Sequence, residues 1–195
     1  LSASPWRDDG LGLLIEAACG PTTYKISATD LIKMGFLVQP HIFVHRLPEP
    51  QDAAPDRRDT EQYTKFYDAW VTNDDTRNRY IANKVIADII DGHIAIVLVK
   101  RVPHGEALQK LIPHSTFLEG KISAKKRKKI LEDVKSGETL CLIATSLADQ
   151  GLDIPIASSL HLAGGGKSST KALQRVGRVP HGEALQKLIP HSTFL

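Results

Sequence analysis

Short apolar runs alternate with helical patterns along most of this chain. IAIVLVK and LCLIAT, at residues 94–100 and 140–145, have the near-continuous apolar character of strands buried on both faces, and SSLHLA at 158–163 is predicted as a further strand. Between residues 60 and 90 the apolar positions recur at helical spacing, with a polar break near 73–76 that predicts two helices. This alternation predicts an α/β fold in which helices flank a parallel sheet.

Weaker patterns complete the predicted element order. YKIS and VQPHIFVHRL are predicted strands on either side of a short helix, ATDLIKMGF, which Ser27 or Thr29 could cap. HGEALQKLI is the predicted crossover helix after residue 100, and STFL is the next strand. Ser123 is predicted to cap a helix that ends near Lys135, and SSTKALQRVG is predicted as a final helix.

The composition is that of a folded domain. The 195 residues are 42% hydrophobic and 24% charged, enough for one domain and part of a second. We expect a soluble, cytoplasmic protein without a membrane partner, because no apolar run is long enough to cross a bilayer and the first ten residues lack a secretory pattern.

Cys19 and Cys141 stand apart, and no His residue has a metal-ligand spacing, so we expect neither a disulfide framework nor a metal site.

Charge is distributed unevenly along the chain. Residues 1–91 contain 10 Lys or Arg and 14 Asp or Glu, whereas residues 92–195 contain 15 and 8. The basic second half indicates a polyanionic partner, although such a surface is more often only solvated. The run KKRKK at 125–129 fits two interpretations equally, a solvated helix face or a contributor to phosphate binding.

An 18-residue segment occurs twice without a single difference. RVPHGEALQKLIPHSTFL occupies residues 101–118 and again residues 178–195. Repeat folds contain several diverged copies at a fixed period, so two identical copies favour a recent duplication, or a misassembled or engineered fragment. Because the copies could compete for one place in the fold, we expect a domain-swapped oligomer or a loose tail.

Four stretches carry motifs of one enzyme family. They are SAS at residues 2–4, IVLVKRVPHGEAL at 96–108, ATSLADQGLDIP at 144–155 and QRVGR at 174–178. In this order they resemble motifs of superfamily 2 helicases and translocases of the phage recombination and DNA-repair type. The resemblance covers residues 1 to about 179. It implies a RecA-like parallel sheet flanked by helices, the C-terminal domain of such an enzyme.

The resemblance assigns one group of residues to a nucleotide. Gly151 and Asp153 would approach the ribose, and Gln174, Arg175 and Arg178 would face the triphosphate, with Arg178 as the arginine finger. A fixed guanidinium suits that role because the transition state of phosphoryl transfer spreads negative charge over the γ-phosphate oxygens.

A second group is assigned to nucleic acid. Thr145 would contact a backbone phosphate, and Ser2 and Ser4 would belong to the motif that couples hydrolysis to movement. Lys100 and Arg101 follow a predicted strand, at the edge where such folds bind ligands. Sequence-independent translocation requires phosphate contacts, because phosphates are the same at every step. The resemblance implies single-stranded or branched DNA as the partner, and the residues themselves leave DNA and RNA open.

The motifs that bind ATP and Mg²⁺ in this family are not found in the sequence. AGGGKSST at 163–170 fails the Walker A spacing, because position 161 is His161 rather than Gly, and no Asp-Glu pair follows a suitable strand. We therefore expect the C-terminal half of an ATP-dependent DNA helicase or translocase, which would require an N-terminal RecA-like domain as partner and would not hydrolyse ATP alone. The alternatives are a non-catalytic nucleic-acid-binding module, or a misassembled or engineered fragment with no independent activity.

The expected division of the chain follows from the same resemblance. Residues 1–20 would be the tail of the first RecA-like domain, and residues 21–59 an interdomain segment and linker. Residues 60–179 would be the second RecA-like domain, and residues 180–195 repeat residues 103–118.

Overall fold

A computed structural model describes residues 13–36, 39, 41–45, 47, 59–120, 123–145, 157–164 and 185–188. In these ranges the chain forms α-helices, one π-helix and strands. The helices are α1 (Leu13–Cys19), α2 (Ala28–Lys33), α3 (Thr60–Tyr67), the π-helix (Asp68–Thr72), α4 (Asp75–Ile90), α5 (Val102–Leu111) and α6 (Ala124–Ser136). The strands are β1 (His41–Val44), β2 (Ala95–Val99), β3 (Ser115–Leu118), β4 (Cys141–Thr145), β5 (Ser159–Leu162) and β6 (Leu185–Leu188). None of the described helices combines the length and the apolar character that crossing a membrane requires.

The strands form one parallel sheet in the order β1-β6-β5-β2-β4-β3. At the centre, Ala95 of β2 is opposite Cys141 of β4 on one side and Ser159 of β5 on the other. Parallel neighbours require crossover connections, which α5 and α6 provide for the strands on one side of β2. The predicted α/β fold with a parallel sheet is confirmed.

The core lies on both faces of the central strands. Every residue of β2 and β4 is buried, and successive side chains point to opposite faces. On one face Val97 packs with Val85 of α4 and Leu108 of α5. On the other face Leu98 packs with Val134 of α6. The near-continuous apolar runs in the sequence therefore reflect burial on both faces, as predicted.

Capping side chains set the starts of the helices. Ser27 Oγ accepts a hydrogen bond of 3.0 Å from the backbone N–H of Asp30, which identifies Ser27 rather than Thr29 as the cap of α2. Ser123 caps α6 as predicted, and Gly137, with a φ of +83°, ends that helix in the left-handed conformation that glycine adopts without strain. Asp74 caps α4 within the predicted polar break.

The N-terminal segment differs from the prediction. YKIS was the first predicted strand, and this is wrong: residues 22–27 are irregular and exposed, with Tyr24 79% exposed. A strand requires a hydrogen-bonded neighbour and a face to bury, and apolar alternation alone supplies neither. The structure also contains α1, which the sequence pattern did not predict, and Leu13 in that helix is 76% exposed.

The two copies of the repeated segment differ in structure. Residues 108–111 and 185–188 share the sequence LQKL, yet the first copy lies in α5 and the second forms β6 between β1 and β5. These two four-residue stretches therefore occupy different places in the fold. The helix SSTKALQRVG and most of the second copy lie outside the described residues.

The two cysteines differ in chemical accessibility. Cys19 is exposed, whereas Cys141 in β4 is 0% exposed and burial raises the pKa of its thiol to about 12. Because the thiolate is the nucleophile, we expect iodoacetamide to modify Cys19 and to spare Cys141 in the folded protein. Mass spectrometry of the labelled chain measures this, with denatured protein as the control in which both react. Equal labelling of both cysteines before unfolding would contradict the buried position of β4.

The same thiol makes stability depend on alkaline pH. The pKa of Cys141 is about 12 in the folded chain against an ordinary value of 9.0, so the folded state keeps a proton that the unfolded state releases. The stabilisation is complete below pH 9 and is lost as the pH rises toward 12. The expected slope is about 1.4 kcal/mol for each pH unit. Urea unfolding across this range should show a shallower decline for Cys141→Ala than for the unaltered chain.

Candidate functional site

The carboxyl ends of the central strands bring separate parts of the sequence to one edge of the sheet. Val99 at the end of β2 is opposite Thr145 at the end of β4, and Leu98 is opposite Leu162 at the end of β5. Lys100 follows β2 directly and is exposed. Because α/β folds bind ligands beyond the carboxyl ends of their strands, this edge is the candidate site.

Two cations lie over one aromatic ring at the carboxyl edge. Nζ of Lys100 is 5.2 Å from the centroid of the Tyr67 ring, and Cζ of Arg101 is 5.8 Å from it. Tyr67 is only 3% exposed, and its burial raises the pKa of the phenol to about 12, so the ring is neutral at physiological pH. A cation within about 6 Å of such a ring is attracted by the ring quadrupole. Tyr67 therefore contacts both of the predicted cations.

An acidic side chain lies beside these cations. Nε of Arg101 is 3.5 Å from Oδ1 of Asp68, the first residue of the π-helix, and the two side chains are 40% and 41% exposed. The same carboxylate oxygen accepts a hydrogen bond of 3.3 Å from Oγ1 of Thr72. Within the part of the chain that the structure describes, Nε of Arg101 is buried and has no hydrogen-bond partner. Asp68 thus attracts Arg101 without satisfying its Nε–H group.

The first turn of α4 connects the π-helix to the sheet. Nδ2 of Asn78 donates a hydrogen bond of 3.0 Å to the carbonyl oxygen of Thr72 in the π-helix. Nη2 of Arg77 donates one of 3.4 Å to the carbonyl oxygen of Ala163, directly after β5. Arg77 is 6% exposed, and burial lowers the pKa of its guanidinium. These bonds hold the segment that carries Tyr67 and Asp68 against the carboxyl edge.

Thr145 contributes a buried hydroxyl to the same edge. The residue is 5% exposed, and its Oγ1 has no hydrogen-bond partner among the residues that the structure describes. An unsatisfied buried hydroxyl costs about 1–3 kcal/mol, so such a group in a native fold requires an explanation. Thr145 therefore places an unsatisfied hydroxyl at the end of a central strand, next to the candidate edge, although the oxygen itself is covered.

Gly164 allows the backbone after β5 to approach the backbone of Lys100. A Cβ atom at Gly164 would lie 2.3 Å from the Lys100 nitrogen and 2.8 Å from the Val99 carbonyl carbon. The backbone N–H groups of Ala163 and Gly164 both donate hydrogen bonds of 2.9 Å to the carbonyl oxygen of Leu98. Only glycine permits this approach, so Gly164 determines where Lys100 leaves the sheet. The sequence analysis considered Gly164 only as part of the rejected Walker A match at 163–170.

All of the other predicted site residues fall beyond the part of the chain that the structure describes. The residues that lie outside the described ranges are Ser2, Ser4, Gly151, Asp153, Gln174, Arg175 and Arg178.

The basic run lies on the first half of α6. Lys125, Lys126, Lys128 and Lys129 are exposed, and Nζ of Lys128 is 3.9 Å from Oε1 of Glu132. Because α6 follows β3, its first turn begins near the carboxyl edge. This placement fits both interpretations of the run.

A buried polar cluster connects α4 to β5, and sequence reasoning missed it. Oγ of Ser159 donates a hydrogen bond to Oδ2 of Asp88, and Nε2 of His161 lies 3.0 Å from the same oxygen and 3.1 Å from Ser159 Oγ. These residue types form hydrolytic triads elsewhere, but a triad needs an accessible Ser and a His that contacts Ser and Asp through opposite nitrogens. Here one nitrogen contacts both, and each residue is at most 1% exposed. The cluster is structural, and no motif spans the sequence separation of 71 positions from Asp88 to Ser159.

Comparison with known proteins identifies relatives of this chain. The model of the helicase conserved C-terminal domain matches residues 81–181. A protein named as helicase 22, from Sulfolobus islandicus filamentous virus, is 30% identical over an alignment of 194 residues, and the match covers 92% of this chain and 34% of that protein. A protein named as the ATP-dependent RNA helicase ddx49, from Dictyostelium discoideum, is 34% identical over an alignment of 113 residues, and the match covers 54% of this chain and 22% of that protein. The chain thus spans about a third of the viral relative and less of the other.

A solved structure shares the fold. The crystal structure of the helicase MrfA bound to DNA and AMPPNP matches 60% of this chain and 18% of its own, with a TM-score of 0.52 and 21% identity. At this identity the likeness concerns the fold alone. It confirms the predicted RecA-like arrangement of a parallel sheet flanked by helices.

Proposed function

Because the chain belongs to the helicase conserved C-terminal domain family, whose model matches residues 81–181, we propose that it is the C-terminal half of an ATP-dependent superfamily 2 DNA helicase or translocase. Membership confirms the predicted resemblance to superfamily 2 helicases. The proposal adds that this half supplies part of the nucleic-acid track and the arginine finger. It further includes a role in DNA repair or recombination, as in the enzymes that the motifs resemble.

The observation that carries the nucleic-acid proposal is the grouping of Lys100, Arg101 and Thr145 at one edge. Two accessible cations and an unsatisfied buried hydroxyl, on adjacent strand ends, are groups that bind phosphate oxygens. None of them requires a particular base, so contacts with a sugar-phosphate backbone are compatible with movement along any sequence. The exposed amines of Lys125 and Lys126, at the start of α6, would extend the positive surface.

The nucleotide half of the proposal rests on motif likeness and on the relatives. Gly151 and Asp153 would lie near the ribose of ATP, and Gln174, Arg175 and Arg178 near its triphosphate. The described residues contain no group of three or more His, Cys, Asp or Glu that could hold a metal ion. From the motif likeness, we propose that the N-terminal RecA-like domain holds Mg²⁺ and positions the water that attacks ATP. Ser2 and Ser4 would couple the two domains.

The proposed division of the chain follows the motifs. Residues 1–20 complete the first RecA-like domain, and residues 21–59 lead to the second, which spans residues 60–179. Residues 180–195 repeat residues 103–118.

Without the first domain this chain is expected not to hydrolyse ATP. Hydrolysis that requires Mg²⁺ and disappears in Arg178→Ala would contradict this expectation.

Binding of single-stranded DNA tests the proposed track. We expect fluorescence anisotropy of a labelled oligothymidylate to show binding that weakens steeply as salt increases, because bound phosphates release counterions. The double variant Lys100→Ala with Arg101→Ala should bind more weakly. Its plot of log K against log salt should be less steep, by about 0.7 for each phosphate that the variant no longer neutralises.

A matched variant controls for net charge. Lys110 and Lys135 are exposed in the last turns of α5 and α6, at the opposite edge of the sheet. Replacing both with Ala removes the same charge and should leave the slope unchanged. Equal losses of affinity in the two double variants would show that binding follows total charge, and the track at the carboxyl edge would then be abandoned.

RNA is the second candidate ligand. The relative ddx49 is named as an RNA helicase, and phosphate contacts alone do not distinguish the two nucleic acids. Competition of unlabelled oligouridylate against bound oligothymidylate decides between them. If oligouridylate displaces oligothymidylate preferentially, the proposed ligand becomes RNA instead of DNA, and the proposed track is unchanged.

A further inference from the structure

Two consecutive residues contact the two consecutive cations of the proposed track. Tyr67 and Asp68 lie at the junction of α3 and the π-helix, and Lys100 and Arg101 lie at the junction of β2 and α5. The Tyr67 ring lies 5.2 Å from Nζ of Lys100 and 5.8 Å from Cζ of Arg101, and Asp68 lies 3.5 Å from Nε of Arg101. Tyr67 and Asp68 were assigned no role by the motifs.

We propose that Tyr67 and Asp68 are positioning residues for the track, and that the Asp68 carboxylate occupies the place on Arg101 that a nucleic-acid phosphate takes when it binds. The proposal rests on the proposed function, in that it requires this edge to bind nucleic acid. The bound phosphate would displace Asp68 from Arg101, while the Tyr67 ring would keep both cations directed to the edge.

Three features make Asp68 suited to displacement. Both side chains are about two-fifths exposed, at 40% and 41%, so a ligand reaches the other atoms of Arg101 and Asp68, while Nε itself is covered. The contact is 3.5 Å long and leaves Nε of Arg101 without a hydrogen bond among the described residues, so the guanidinium retains unused donor capacity. Oγ1 of Thr72 donates to the same carboxylate oxygen, which gives the displaced Asp68 another partner.

Tyr67 has a different role because it is fixed. It is 3% exposed, and α4 connects the adjoining π-helix to β5 through Asn78 and Arg77. A neutral aromatic face attracts cations without competing for phosphate, since it carries no negative charge. It restricts the side chains of Lys100 and Arg101, and so reduces the rotamer entropy that binding would cost.

The variant Asp68→Asn tests the displacement. Exposed ion pairs are weak, so removing the competing charge should tighten binding of labelled oligothymidylate by about twofold to fivefold at low salt. Asn keeps an oxygen that can accept from Thr72. The matched control is Asp91→Asn, which removes the same charge from an exposed residue after α4, at the amino edge of the sheet, and should leave affinity unchanged.

A double-variant cycle separates displacement from general repulsion. If Asp68 competes for Arg101, then Asp68→Asn tightens binding in the unaltered chain and has no effect in an Arg101→Ala background. If Asp68 only repels the polyanion, the gain is the same in both backgrounds, and the proposal is overturned. A chain that binds DNA through Lys100 and Arg101 but does not respond to Asp68→Asn keeps the proposed function and loses this inference. No binding by either the unaltered chain or Asp68→Asn overturns both.

Variants of Tyr67 test the positioning role. Tyr67→Phe retains the ring and should bind as the unaltered chain does, whereas Tyr67→Leu removes the aromatic face and should weaken binding several-fold. Circular dichroism confirms that each variant is folded before binding is measured. Equal affinity of folded Tyr67→Phe and Tyr67→Leu would show that the ring has no part in positioning the cations.

Discussion

Asp88→Ala is expected to lower the free energy of unfolding by about 3 kcal/mol, because it removes the acceptor at the centre of a buried polar cluster. Asp88 is 1% exposed, and one of its oxygens accepts from Ser159 and lies 3.0 Å from Nε2 of His161. Both side chains are fully buried on the α4 face of β5, so water cannot replace the missing acceptor. Urea denaturation followed by circular dichroism measures the decrease in stability.

Two further variants show whether the cluster acts as a unit. Asp91→Ala, at an exposed site after the same helix, should change stability by less than about 0.5 kcal/mol. Replacing both Asp88 and His161 with Leu should cost less than the sum of the two single replacements, because removing both polar partners leaves fewer groups unsatisfied. Strictly additive effects would mean that Asp88 and His161 stabilise the fold independently, contrary to the contacts between them.

Gly164→Ala is expected to destabilise the domain by about 3 kcal/mol and to displace Lys100, since the added methyl group overlaps backbone atoms. Its Cβ would lie 2.3 Å from the Lys100 nitrogen, and no side-chain rotation can relieve a contact with backbone. The φ of Gly164 is not in the left-handed region, so the effect arises from the contact and not from backbone strain. We expect a lower urea midpoint and weaker DNA binding by the fraction that remains folded.

Gly105 provides a comparison in which the obstructing group is a side chain. A Cβ at Gly105 would lie 2.3 Å from Cε2 of Phe117, so Gly105→Ala should also destabilise the domain. Adding Phe117→Leu shortens the obstructing group and should recover part of the stability. No equivalent second substitution exists for Gly164. An unchanged urea midpoint in Gly164→Ala would show that the ends of β2 and β5 are farther apart than the structure has them.

The proposed track could be predicted from sequence only in part. Lys100 and Arg101 were identified because they follow a predicted strand, and parallel strands end at a common edge. Thr145 was assigned by the resemblance to helicase motifs. Tyr67 and Asp68 were not identified, because they lie where α3 meets the π-helix, in a stretch whose apolar positions fit an ordinary amphipathic pattern. Their importance arises from contacts with residues more than 30 positions away, at distances of 3.5 to 5.8 Å.

Local sequence patterns also failed to predict secondary structure where it depends on the neighbouring strands. YKIS has an apolar alternation typical of a strand, yet it has no neighbour to pair with in the described structure and stays irregular. LQKL is helical at 108–111, where Leu108 packs into the core, and forms a strand at 185–188 between β1 and β5. Since the two amino-acid sequences are identical, the difference in secondary structure comes from their tertiary contacts.

The sequence by itself determined the order of the α-helices and strands from residue 60 to 145, though not the π-helix, together with the burial of β2 and β4 on both faces and the family. Each of these depends on periodicity, capping or motif spacing, which are properties of neighbouring residues. Only the tertiary structure decided that Tyr67 and Asp68 meet Lys100 and Arg101, and that Asp88 meets Ser159 and His161. Such contacts depend on strand order and helix placement, which the packing of the whole core selects and no local segment encodes.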